Sequence, residues 1–310
     1  MSIVVIGTSF VDIKGYPYGE YITNGRNSGY IEEKHGGVAR NMVEDIANVE
    51  LRPIFVSLVD KTGSGLSVLN KLQNHKVNTD YVLTVPDGMG TWLAVFDQSG
   101  DVIAQISKRS DSRPILETLK EKGDEIFAQA DSILLEFDMD KDVISKVFEL
   151  ADAHNVPVYA GVSNMTIAVQ RRDFIRRLDT FICNIQEAGI LFFEDYSSKT
   201  PDEMQTILKN HLAASDLKRI VVTMGDKGAV YVDKDNSTGH VPATPVIVKD
   251  TTGAGDAFAS GVVIGLTYGK TLAEACDIGV RLAASVICSV ENVCPRFQPE
   301  EFGIEFEEVK

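Results

Sequence analysis

Ser132-Ile133-Leu134-Leu135 opens the stretch that decides the fold. It is a short apolar run. Residues 143 to 153 follow as a helix candidate, and residues 156 to 159 form a second apolar run. A strand, a helix and a strand in that order suit two parallel neighbours, because a parallel pair needs a long crossover between its members. The rhythm extends both ways. Upstream lie a β-branched run at 3 to 6, a helical pattern at 38 to 49 with Met42, Val43, Ile46 and Ala47 in phase, a core strand at 53 to 58 and an amphipathic helix at 64 to 72. Downstream, buried strands are expected at 180 to 183 and 219 to 223, and apolar helices at 257 to 266 and 272 to 289. The expected fold class is α/β, with a mainly parallel sheet covered by helices on both faces.

Two stretches break this rhythm. Residues 12 to 34 mix glycines, aromatics and charges without helical period. Residues 89 to 107 hold the alternating run Trp92-Leu93-Ala94-Val95-Phe96, the turn Gln98-Ser99-Gly100-Asp101 and a second run at 102 to 106, which is a hairpin pattern. Together they predict a small β-sheet beside the main one, serving as a lid over a ligand or as a dimer surface. Neither repeats nor a linker divide the 310 residues, so one domain over 1–310 is expected, with lid segments near 12–34 and 89–110.

Composition narrows the function. A formal net charge of -15 argues against a nucleic-acid partner, which calls for a basic face. No apolar run reaches the ~18 residues that span a bilayer, and the N-terminal run reads as a strand rather than a signal peptide. Cys183, Cys276, Cys288 and Cys294 form no C-x-x-C pair, which fits reduced thiols in a cytoplasmic protein.

Four local motifs carry chemistry, each with a plainer alternative. Asp250-Thr251-Thr252-Gly253-Ala254-Gly255-Asp256 places two glycines and a carboxylate at a helix start, where backbone N–H groups and the helix dipole make an anion site. Alternatively, Asp256 only complements the dipole. Thr223-Met224-Gly225-Asp226-Lys227-Gly228 follows a strand, which suits a ligand loop of an open α/β sheet or a simple hairpin turn. Asn184-x-x-Glu187 suits a hydrated magnesium ion or a capping box. Gly36-Gly37-Val38-Ala39-Arg40-Asn41 opens a helix and allows a ligand close to the backbone, while Asp12 is a carboxylate able to accept hydrogen bonds from a sugar diol or to form a turn before Gly15.

In this order, over the whole chain, these motifs resemble the ribokinase-like, or PfkB, family of carbohydrate and nucleoside kinases. The resemblance implies a Rossmann-like α/β domain with a β-sheet lid, ATP and magnesium as cofactors and a small sugar or nucleoside as acceptor. It implies Asp256 as the base that deprotonates the acceptor hydroxyl, and an anion hole from Gly253, Ala254 and Gly255. Asn184 and Glu187 would organise magnesium and phosphate through water. Thr223, Gly225 and Gly228 would lie along ATP, and Asp12, Gly36, Gly37 and Asn41 at the sugar. Asp250 and Thr252 fall where many members bind potassium, and lid strands commonly make homodimers in this family. The chain has no G-x-x-x-x-G-K-[ST] loop and no protein-kinase signature.

Within the family, the run from Gly36 to Asn41 is most similar to the pseudouridine kinases, with Arg40 in place of the small residue usual in ribokinases. Asn27-Ser28-Gly29, Thr91-Trp92-Leu93-Ala94-Val95 followed by Gly100, and Glu291-Asn292-Val293-Cys294-Pro295 lean the same way. Arg40 and Asp138 are therefore expected at the substrate. Ser107-Lys108-Arg109 departs from that pattern; it reads first as a solvated hairpin end, and alternatively Lys108 or Arg109 would suit a more anionic substrate such as a sugar phosphate. The leading expectation is pseudouridine 5′-phosphorylation. The alternatives are a ribokinase- or fructokinase-type free-sugar kinase and a non-catalytic sensor.

Overall fold

The computed structural model describes residues 1–98, 101–162, 164–215, 217–235 and 237–305. Ser99 and Gly100 of the expected hairpin turn lie outside the described residues. Among the described residues the strands, in chain order, are β1 (Ile3–Ile6), β2 (Ser9–Pro17), β3 (Gly29–Gly36), β4 (Ile54–Val59), β5 (Asn78–Thr84), β6 (Met89–Phe96), β7 (Val102–Lys108), β8 (Ser132–Glu136), β9 (Val158–Gly161), β10 (Thr180–Asn184), β11 (Arg219–Thr223), β12 (Ala229–Asp233) and β13 (Thr238–Val241). The helices are α1 (Val38–Asn48), α2 (Gly63–Asn74), α3 (Arg113–Phe127), α4 (Lys141–His154), α5 (Met165–Val169), α6 (Arg172–Ile175), α7 (Ile185–Phe192), α8 (Pro201–Ala213), α9 (Ala254–Thr267) and α10 (Leu272–Ile287).

The large sheet has the order β13-β12-β11-β10-β9-β8-β1-β4-β5 and is parallel from β11 to β5. Antiparallel β12 and β13 close one edge. The central strands alternate between two cores, with Val4, Ile6, Ile133 and Leu135 on one face and Ile3, Val5 and Leu134 on the other. Both faces are covered, so each strand is a continuous apolar run rather than a half-polar one. The order of strand connection reverses between parallel β1 and β8, with β4 and β5 on one side and β9 to β11 on the other. Open α/β sheets bind ligands beyond the strand ends at such a point. There, buried Glu136 accepts hydrogen bonds from the N–H and Oγ of Thr8 at 2.7 and 2.8 Å.

The two stretches without helical period form the second sheet, of order β3-β2-β6-β7. Asp12 pairs with Trp92 on β6 and Lys34 on β3, and Trp92 with Ser107 on β7. Alternation along β2 sends Phe10, Asp12 and Lys14 to a single face.

Helix α9 is placed by close backbone contact with α10. A Cβ at Gly261 would lie 2.6 Å from Cα of Gly279, and one at Gly265 would lie 2.6 Å from Cα of Ala275. All four thiols are free; Cys183, Cys276 and Cys294 are buried, and Cys288, just past α10, is partly exposed. Gly261→Leu is expected to force the two helices apart and cost about 2 kcal/mol or more, on the scale of overpacked cores. Urea denaturation of the variant against the wild type measures it.

Candidate active site

The α9 N-terminus stands between two cavities. Gly253 caps the helix with φ 83°, a left-handed conformation that favours glycine, and a Cβ there would come within 2.0 Å of the Asn292 carbonyl oxygen. Asp256 follows in the first turn. Its Oδ2 accepts a hydrogen bond from Nδ2 of Asn41, on α1, at 2.7 Å. The residue is partly buried and lines the first of the two cavities. Burial pushes its pKa up to about 7, against the opposing effects of the Asn41 hydrogen bond and the Arg40 charge; Asp12 and Glu187 add to the rise.

The first cavity, about 460 Å³, is lined by Asp12, Asn41 and Asp256, with Gly37, Thr252 and Gly253 at its floor and Trp92, Gln105 and Arg109 on the side of the small sheet. Asp12 is buried, which raises its pKa, while Arg40 and Lys14 oppose the rise. Gly36 is needed beside it, because a Cβ there would fall 2.2 Å from Asp12 Oδ1. The second cavity, about 150 Å³ and mostly apolar, lies across the helix end. Ala254, Gly255 and Phe258 of α9 line it, with Thr223, Gly225 and Gly228 opposite and Ala283 and Ala284 from α10. The 223–228 segment is a hairpin turn between β11 and β12, closed by Met224 N–H donating to the Gly228 carbonyl at 2.7 Å, and it is also a cavity wall. Its two suggested roles are therefore compatible.

Between the cavities, the first amides of α9 have no acceptor within the helix, and they sit at the positive end of its dipole. Ala254 N–H donates to the Thr251 carbonyl at 3.2 Å. That engagement leaves Gly255 and Asp256 as the first-turn amides available to an anion. Gly255 is exposed, and a Cβ on it would meet nothing within 4 Å.

Arg40 and Asp138, expected at the substrate, line neither cavity. Arg40 is 1% exposed and lies outside both cavities. Its guanidinium is committed to Glu44 at 2.6 Å, to Asn292 Oδ1 at 3.2 Å and to the carbonyls of His35 and Gly36. Lys71 approaches the other Glu44 oxygen at 2.7 Å, so Arg40 belongs to a buried ion-pair cluster that stitches α1 to the C-terminal segment. Breaking such a pair typically costs about 3–5 kcal/mol. Asp138 is likewise turned inward, with Arg109 at 3.5 Å from its Oδ2. Glu136, two residues earlier at the end of β8, lines the cavity instead, with burial raising its pKa to about 7. Of the two basic residues with open roles, Arg109 lines the cavity, whereas Lys108 pairs with Asp87 on the surface at 2.9 Å.

The family model for pfkB family carbohydrate kinases matches residues 1–293. The chain belongs to the pfkB family. Among curated relatives, a guanosine-inosine kinase of Exiguobacterium acetylicum is 35% identical over 94% of this chain and 95% of its own length. A pseudouridine kinase of Escherichia coli (strain K12) is 26% identical over 88% and 86%. A solved Arabidopsis thaliana ribokinase, complexed with ribose and ATP, superposes with a TM-score of 0.80 at 20% identity, covering 98% of this chain and 99% of that one. This pfkB-family chain is thus a sugar or nucleoside kinase with the ribokinase fold, and kinases of this family use ATP.

Two metals expected for a pfkB-family kinase can be tested against these residues. Asn184 and Glu187 form a reciprocal capping box, with Glu187 Oε2 accepting from Asn184 N–H at 2.8 Å and Asn184 Oδ1 accepting from Glu187 N–H at 2.9 Å. Burial, together with the like charge of Asp138, raises the Glu187 pKa. A carboxylate under that pressure fits a divalent ion arriving with the nucleotide and held through water. Potassium at Asp250 fits poorly. The ammonium of buried Lys14 lies 3.6 Å from Asp250 Oδ2, and Thr252 N–H donates to Asp250 Oδ1 at 2.9 Å.

The open space around Gly255 yields a test. Gly255→Ala is expected to leave the melting temperature unchanged or higher, since alanine favours a helix by about 1 kcal/mol over glycine. Turnover should fall by roughly 10-fold or more, because a methyl group would intrude where a phosphoryl oxygen needs the amide. Differential scanning fluorimetry and steady-state kinetics check the two parts.

Proposed function

We propose that this kinase transfers the γ-phosphoryl group of ATP to the 5′-hydroxyl of a purine ribonucleoside of the guanosine or inosine type. The observation that carries the reading is the convergence of Asp12, Asn41 and Asp256 on one cavity, with an amide-bearing helix end separating it from an apolar slot. Asp12 and Asn41 hold the ribose hydroxyls, and Gly36 and Gly37 let the sugar approach the backbone. Asp256 accepts the proton from the attacking hydroxyl; a pKa near 7 suits that task at neutral pH. The Gly253-Ala254-Gly255 turn presents the amides of Gly255 and Asp256, which stabilise charge on the transferred phosphoryl, while Ala254 N–H holds the turn to Thr251. Thr223, Gly225 and Gly228 flank the nucleotide. Magnesium, when bound near Glu187 and Asn184, supplies charge neutralisation on the phosphates.

A nucleoside rather than a free sugar is supported by the cavity wall. Trp92 offers a face for stacking, and its Nε1 donates to Gln105 Oε1 at 2.9 Å, leaving the Gln105 amide nitrogen as a donor. Arg109 adds a guanidinium whose Nη1 donates to the Asp138 carbonyl at 2.8 Å and whose Nη2 lies 3.5 Å from Asp138 Oδ2, so its remaining N–H groups suit an acceptor such as purine O6 or N7. The guanosine-inosine kinase likeness favours the same class. Pseudouridine is the second reading, supported by the run from Gly36 to Asn41. Its distinctive residue, Arg40, acts through α1 rather than by touching the base.

Residues 1–310 act as one kinase domain, with the small sheet as a lid that excludes water from the transfer. Exposed Ile31, Leu93 and Ile106 on the small sheet support a lid-to-lid homodimer. Free thiols support a cytoplasmic location. No helix among the described residues is long and apolar enough to cross a membrane.

A screen of ATP consumption across guanosine, inosine, pseudouridine, uridine, ribose and fructose tests the acceptor. Guanosine or inosine is expected to give the highest kcat/KM; activity on free sugars alone would refute the nucleoside reading. Asp256→Asn should cut kcat by ~10²-fold or more while leaving ATP affinity nearly unchanged. In the wild type, kcat/KM should fall as pH drops below about 7, as Asp256 takes up its proton. Asn41→Ala removes a hydrogen bond that favours the ionised carboxylate, so this acid limb should move to higher pH.

A further inference from the structure

We infer that Lys14 is a built-in counter-cation at Asp250, replacing the potassium that the family resemblance places there, so that phosphoryl transfer by this chain needs no monovalent metal. The inference rests on the phosphotransfer reading above, and it comes from the small sheet. Lys14 is 3% exposed, and lysine is rarely so buried without a partner. Alternation along β2 gives it the same face as Asp12, and its ammonium ends 3.6 Å from Asp250 Oδ2. The ring of Phe96 lies 5.8 Å from the same nitrogen.

A second lysine of that sheet acts on the adjoining loop. Lys34, paired with Asp12 across β2 and β3, donates to the Val290 carbonyl at 2.7 Å. The Val290 turn and the Asp250 loop are joined, since the N–H groups of Lys249 and Asp250 both reach the Ile287 carbonyl, at 2.9 and 3.4 Å. Gly253 is seated against Asn292 of the same turn. A carboxylate and a backbone oxygen are the donors a monovalent cation would seek, and here each already faces an ammonium. A potassium ion at Asp250 would sit beside the Lys14 ammonium, where Coulomb repulsion opposes it. Lys14 props the loop that leads into the Gly253–Asp256 turn and Lys34 the turn packed against it, so Lys14 is a positioning residue.

The test compares rates and melting temperatures in KCl and in tetramethylammonium chloride at equal ionic strength. Wild-type kcat should change by less than about 2-fold, and its melting temperature should not respond to potassium, as expected where no ion is bound. Lys14→Met should lose at least ~10-fold in kcat without potassium, the scale of misplaced catalytic groups, and regain much of it in KCl together with a higher melting temperature. Lys14→Arg keeps the charge and should stay indifferent to potassium, which covers the case in which Lys14→Met fails to fold. A wild type activated ~10-fold or stabilised by potassium would overturn the proposal, as would Lys14→Met with full activity in tetramethylammonium. If no acceptor is phosphorylated in either salt, the phosphotransfer reading fails instead, and the potassium dependence of the two melting temperatures still decides the role of Lys14.

Discussion

The hydrogen bond from Asn41 to Asp256 is the contact on which the site depends. It joins two helices set by unrelated parts of the chain. Helix α1 starts where β3 leaves the small sheet, and α9 is held against α10 through Gly261 and Gly265. The bond also gives a partly buried carboxylate a partner, without which its charge would be strongly disfavoured. The strength of the base and its position therefore have one origin. Burial raises its proton affinity, and Asn41 limits that rise.

The balance of charge around this contact is local. The chain is strongly acidic overall, yet Lys14, Lys34, Arg40 and Arg109 gather near the site, each facing a carboxylate or carbonyl. An anionic nucleotide thus meets backbone amides and a few placed cations rather than a basic surface. Phosphoryl transfer asks for this kind of positioning more than for net attraction.

Much of the fold was legible because buried parallel strands are continuous apolar runs. Residues 219 to 223 become β11, and 132 to 135 fall within β8. The strand expected at 156 to 159 begins at Val158, after Pro157, which cannot donate to a ladder. β5, half-exposed and polar, and α3, with its charged outer face, escaped a reading based on apolar runs. At the site, the glycine turn and Asp256 were readable from local spacing, and Asp12 and Asn41 from their motifs. Arg40 shows its i,i+4 partner Glu44 in the sequence, but what buries the pair away from the cavity is remote. Asn292 binds its guanidinium, and the Cys294 N–H donates to Asp45 on the same helix at 2.7 Å. No local pattern announces a polar helix that is buried by a segment some 250 residues away. Asp138 was chosen over Glu136 for a similar reason. Which carboxylate faces the cavity is set by where β8 ends beside β1, a feature of topology. The switch point between those strands was the signal that would have identified Glu136.

The thiols have a consequence of their own. Three of the four are sealed in the core, while Cys288 is partly open at the turn that follows α10. Alkylating reagents should therefore tag the folded protein once, next to the segment that buttresses Gly253. The three remaining sulfurs would become reactive only as the packing opens, so the chain carries an intrinsic chemical clock for its own unfolding, and one handle for a fluorophore that reports on the loop.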